Sequence, residues 1–80
     1  MYTVYILYSE KSAKHYTGIT KDLEQRLRSH NETGTRDWAV RYRPWKLIYT
    51  EIYETQSEGL KREKWFKTGV GREFIKSLPH

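Results

Sequence analysis

Three stretches of the chain concentrate β-branched and aromatic residues, and two others place apolar residues at helical spacing. Tyr2-Thr3-Val4-Tyr5-Ile6-Leu7-Tyr8 reads as a strand covered on both faces. The polar run Ser9–Lys14 is a loop, and His15-Tyr16-Thr17-Gly18-Ile19 resumes β character, so a hairpin is the economical connection. Gly18 marks a point where another backbone or a ligand comes close. Thr20 or Asp22 caps a first helix, Asp22 with Gln25 fitting a capping box, and Leu23, Leu27 and His30 share one stripe with Arg26 at its margin. Asn31 to Arg43 is polar and reads as loop, and Trp45 to Tyr53 is the clearest strand. Thr55-Gln56-Ser57-Glu58 opens a second helix running to about Lys67, with Gly69 as its stop. Gly71 to Leu78 forms a short last helix with Phe74, Ile75 and Leu78 inward. The order β-β-α-β-α-α predicts an α/β (α+β) fold: a small three-stranded antiparallel sheet flanked by helices.

Composition narrows the partners. Eighty residues suit one domain, 1–80, with no linker or repeat. Fifteen Lys and Arg against ten Asp and Glu leave a net charge of +5, so a polyanion is the first partner to consider. With no cysteine, disulfide frameworks, thiolate zinc sites and thiol nucleophiles are excluded. Aromatics reach 15%, which argues against disorder. The apolar runs are too short for a membrane span and the N-terminus lacks a signal-peptide pattern, so the expected setting is cytoplasmic, with no membrane partner. No phosphate-binding glycine loop, dinucleotide fingerprint or zinc-protease motif is present, and His15, His30 and His80 lack zinc-ligand spacing.

The informative residues are polar ones on apolar faces, because burying them is costly without a partner. With Leu60 at 0° and about 100° per residue, Glu63 lies near −60°, between Leu60 and the arc of Gly59 and Phe66. A carboxylate facing the sheet needs a cation, a metal ion or a proton; an ion pair with Arg26 or a nearby Lys is as good a reading as a site. Arg26 and His30, four apart, are neighbours on the first helix. Tyr5 and Tyr16 lie on adjacent strands, and either phenol is a possible proton acceptor if nearby positive charge lowers its ordinary pKa of about 10.

These residues form a known pattern. Thr3-Val4-Tyr5, then Tyr16-Thr17-Gly18 eleven positions after Tyr5, resembles the two-part signature of the GIY-YIG nuclease family. Arg26, in Asp22-Leu23-Glu24-Gln25-Arg26-Leu27, is similar to that family's catalytic arginine, and Glu63, in Leu60-Lys61-Arg62-Glu63-Lys64, to its metal-binding glutamate. His30 stands where the family often has His or Tyr. The likeness covers essentially the whole chain and is closest to the stand-alone bacterial type. The chain departs from the pattern in its tail, Val70 to His80, which has no Asn where many members have one.

The resemblance implies a metal-dependent endonuclease acting on nucleic acid, DNA in the first instance, with low sequence specificity. One Mg²⁺ or Mn²⁺ is expected on Glu63. Arg26 is expected to offset charge on the phosphate, Tyr5 to accept the proton of the attacking water with Tyr16 alongside, and His30 to carry a proton or contact phosphate. Gly18, Arg36, Arg41, Arg43, Arg62 and Lys67 are the expected nucleic-acid contacts, the cations belonging to a solvated surface that also includes Lys61, Lys64, Arg72 and Lys76. The rival reading is an inactive basic nucleic-acid-binding module of the same fold. A third is a subunit docking on a protein through Trp38 or Trp45.

Overall fold

The computed structural model describes residues 1–29 and 43–79. It contains β1 (Tyr2–Ser9), β2 (Lys14–Thr20), α1 (Leu23–Arg28), β3 (Lys46–Tyr53), α2 (Gln56–Phe66) and α3 (Gly69–Ser77). The three strands form an antiparallel sheet in the order β2-β1-β3, with helices packed on it, as the hydrophobic pattern predicts. β1 is the central strand, which is why its sequence is apolar on both faces: Val4, Tyr5, Ile6 and Leu7 are all at most 1% exposed.

Alternation along β1 divides the core in two. Val4 and Ile6 pack with Phe66 of α2 and Ile75 of α3 on one face. Tyr5 and Leu7 pack with Trp45 on the other, under Leu23 and Leu27 of α1 and beside Tyr16. Each fully buried side chain of this size contributes about 1.5–3 kcal/mol, so both layers matter to stability. Trp45, considered above as an exposed docking residue, is only 4% exposed and belongs to this second core; Trp38 lies outside the described residues.

The helix starts follow the capping logic. The Asp22 carboxylate accepts from the Gln25 amide at 3.1 Å, and the Thr55 hydroxyl accepts from the Glu58 amide at 3.2 Å. The end of α2 differs from expectation. Lys67 caps it, Thr68 opens α3, and Gly69 is the first residue of α3 rather than a stop. The tight corner depends on Gly71, where a Cβ would collide with the Trp65 carbonyl and the Phe66 backbone. In the β1–β2 hairpin, Ala13 takes a left-handed conformation (φ 53°). Among the described residues no helix is long and apolar enough to cross a membrane.

One polar cluster ties α2 to β3. Arg62 donates to both oxygens of Glu51, at 2.9 and 3.1 Å, while the Tyr49 and Tyr53 hydroxyls donate to the same carboxylate at 2.5 and 2.6 Å. The guanidinium also stacks over Trp65 and Phe66, 4.1 and 4.7 Å from their ring centroids. Burial pushes the Glu51 carboxyl up, but the hydrogen bonds from Arg62, Tyr49 and Tyr53 together outweigh it and hold the pKa below the ordinary carboxylate value. The expectation that Arg62 joins a solvated phosphate-binding surface is therefore corrected: its donors and its face are already engaged.

Candidate active site

The β1–β2 register pairs Tyr5 with Gly18 and Leu7 with Tyr16, so the two tyrosines are diagonal neighbours on the face that α1 covers. Their ring centroids are 6.2 Å apart. Gly18 is needed because the Tyr5 ring lies across it: a Cβ there would be 2.5 Å from Tyr5 Oη and 2.7 Å from Cζ. What comes close to this glycine is the chain's own phenol, and the expectation of a ligand contact at Gly18 is corrected accordingly.

Arg26, on the first turns of α1, points its Nε at Tyr5 Oη (3.3 Å). That hydrogen bond, followed by one to Tyr16, raises the guanidinium pKa above its already high ordinary value. Arg26 is otherwise exposed and lines a shallow cleft of about 230 Å³ with Thr20, Asp22, Gln25 and Ser29. The group thus holds a cation whose remaining N–H donors face solvent.

For Tyr5 the expected direction is reversed. Burial is the largest influence and pushes its pKa up to about 12, although Arg26 pulls the other way. Without further positive charge this phenol stays protonated near neutrality. Tyr16, by contrast, is half-exposed.

Glu63 comes from α2, which packs on the opposite side of β1. Gly59 and Phe66 of the same helix are buried, and a Cβ at Gly59 would run into Ile19, so α2 lies directly against β2. Glu63 is half-buried on that side and close enough for its charge to raise the Tyr5 pKa. Among the described residues it forms no ion pair: the pairs there are Arg28–Glu24, Arg62–Glu51 and Lys76–Glu73. Arg26 is bonded to the tyrosines instead.

The donor set suits a hard cation held loosely. No group of three or more His, Cys, Asp or Glu converges among the described residues, which excludes there a zinc-type cage. Magnesium commonly takes one or two carboxylates, keeping water and substrate phosphate as its other ligands, and a single half-buried carboxylate fits that mode.

A model of the GIY-YIG catalytic domain matches residues 1–73. The chain belongs to the GIY-YIG family. A UPF0213 protein of Staphylococcus saprophyticus is 41% identical over 68 residues, covering 85% of this chain and 83% of that protein. UPF0213 proteins of Staphylococcus aureus are 45% identical over 53 residues, which is 66% of this chain but 65% of their own length. The solution structure of the UPF0213 protein BH0048 from Bacillus halodurans superposes with a TM-score of 0.57 at 26% identity, covering 96% of this chain and 84% of that one. The stand-alone type of GIY-YIG domain is thus the right comparison, and the three-stranded sheet carries its signature tyrosines on β1 and β2.

Other expected contacts of this GIY-YIG domain divide. Arg43 donates to the Ser29 carbonyl at 3.2 Å and is half-buried, so it braces the end of α1 rather than belonging to a free phosphate-following surface. His30, Arg36 and Arg41 lie outside the described residues. Lys67 is exposed and lines a cavity of about 370 Å³ together with His15, Thr17 and Arg72. The sequence reading treated His15 only as a poor zinc ligand and Arg72 only as one charge among many. The spacing of Lys67, four residues after Glu63, was the available signal.

Proposed function

We propose that this domain is a metal-dependent nuclease hydrolysing phosphodiester bonds in nucleic acid, DNA in the first instance, with little sequence preference. The observation that carries this reading is the Tyr5–Arg26–Tyr16 group formed from β1, β2 and α1, with the Glu63 carboxylate near enough to act on Tyr5. Family membership supports it. Arg26, anchored through Nε, keeps donors for the non-bridging oxygens of the scissile phosphate, where they offset the charge of the transition state. Tyr5, buried and protonated, orients that guanidinium. Tyr16, with part of its ring in solvent, is the better-placed phenol to take the proton of an attacking water, a reassignment that follows from the burial of Tyr5. A divalent cation on Glu63, Mg²⁺ or Mn²⁺, would supply Lewis-acid stabilisation of the leaving oxygen.

The rival reading, a binding module without catalysis, is favoured by the tail lacking Asn and by the high Tyr5 pKa. Incubation of plasmid, single-stranded DNA and RNA with Mg²⁺ or Mn²⁺, against EDTA, separates the two. The expected result is a metal-dependent product that disappears in Glu63→Ala and falls about 10²–10³-fold in Arg26→Ala, the scale for removing one preorganised donor. Binding without any metal-dependent product would establish the rival.

A further inference from the structure

The cavity of about 370 Å³ between β2 and the α2–α3 corner has a distinctive lining. Its polar side chains are His15, Thr17, Lys67 and Arg72, and Phe66 and Ile75 supply apolar wall. No carboxylate lines it. Among the described residues, Lys67 and Arg72 are in no ion pair, whereas Arg62 and Arg28 are. Two cations projecting into one concavity without a counter-charge repel each other, an arrangement that an anion relieves. A smaller cavity of about 220 Å³ continues from it, sharing His15, Arg72 and Ile75 and adding Lys76.

Its position relative to the candidate site decides which anion. Tyr16 lines the cavity and also belongs to the Tyr5–Arg26 group. Lys67 follows Glu63 by four residues at the end of α2, so their Cβ atoms are about 5–6 Å apart along one helix face. At about 3.4 Å of rise per nucleotide, that displacement corresponds to one or two nucleotides of a strand. We infer that this cavity is a phosphate subsite that holds the strand's backbone one or two nucleotides from the scissile phosphate, with Lys67 and Arg72 as the paired cations and the Thr17 hydroxyl as an added donor. The assignment of the neighbouring phosphate rests on the proposed nuclease reading. Arg72 and Lys76 along the smaller cavity extend the track in the same direction. Contacts of this kind fix register and orientation while reading no bases.

The test is binding of a fluorescent single-stranded oligonucleotide and of a duplex, followed by anisotropy in EDTA over about 50–200 mM salt. Lys67→Ala and Arg72→Ala are each expected to reduce the slope of log K against log salt by about 0.7–0.9, one lost phosphate contact apiece. Lys67→Arg should restore the slope. Lys46→Ala on β3 removes the same charge far along the chain from the cavity and should leave the slope as in the parent. Equal slopes for the parent, Lys67→Ala and Arg72→Ala, or an equal loss for Lys46→Ala, would overturn the subsite. Each oligonucleotide is used with and without a 5′-phosphate, and an effect confined to the phosphorylated form would overturn the internal-phosphate assignment in favour of an end-binding pocket. Because no cleavage is read, a parent protein that fails to cut would sink the nuclease reading without touching this measurement. Unchanged slopes in a protein that cuts would do the reverse.

Discussion

Replacing Gly18 by Ala tests whether the signature glycine exists to admit the Tyr5 ring. The new Cβ would stand 2.5 Å from Tyr5 Oη, 2.7 Å from Cζ and 3.1 Å from Tyr16 Cε1. Ordinary contact between such atoms is about 3.5–4.0 Å, so the phenol must retreat by about 1 Å. It has little room, being 1% exposed and packed in the cluster with Leu7 and Trp45. Overpacking of this degree costs about 1–3 kcal/mol, and replacing a strand glycine by alanine returns about 0.5–1 kcal/mol. The net expectation is a loss of about 1 kcal/mol, seen as a fall of about 4–8 °C in the thermal midpoint. The Arg26–Tyr5 bond, at 3.3 Å, has no slack, so turnover should fall by about 10² as the guanidinium is displaced. A double-mutant cycle assigns the cause. Tyr5→Phe deletes the nearer of the two colliding atoms, and in that background Gly18→Ala should cost about 0.5–1 kcal/mol less. Unchanged melting in Gly18→Ala, or strictly additive effects in the cycle, would refute the collision.

Other perturbations probe the rest of the structure. The folded pKa of Tyr5, about 12, exceeds its ordinary 10.0, so the stabilisation it represents is present below pH 10 and lost as pH rises toward 12; two units amount to about 3 kcal/mol. Tyr5→Phe should flatten that alkaline decline in a urea titration followed by circular dichroism, although Tyr49 and Tyr53, also raised by their bonds to Glu51, will leave a residue of it. Glu51 is held low, so its contribution is present above the ordinary carboxylate pKa and lost as pH falls through the folded value. Glu51→Gln should cost about 1–3 kcal/mol at neutral pH in the same assay and reduce the sensitivity to acid. Ala13→Gly relieves a left-handed residue and should raise the thermal midpoint, by the equivalent of about 0.5–1 kcal/mol.

The order of elements, the central position of the most apolar strand and the helix caps at Asp22 and Thr55 were legible from local chemistry, because alternation, helical spacing and capping are properties of neighbours along the chain. The sheet-facing position of Glu63 was legible for the same reason: it shares an arc with Gly59 and Phe66, both buried. Partners across the fold were not. Nothing local to Arg62 distinguishes it from Lys61 or Lys64, yet only Arg62 meets Glu51 and the Trp65 and Phe66 rings. Whether Tyr5 is raised or lowered depended on a balance between burial and Arg26 that exists only once α1 covers the sheet. The chain's sequence thus determined which surfaces turn inward. Tertiary packing decided which charges are spent holding the fold and which remain open to a phosphate, since desolvation and pairing arise from contacts between segments far apart along the backbone.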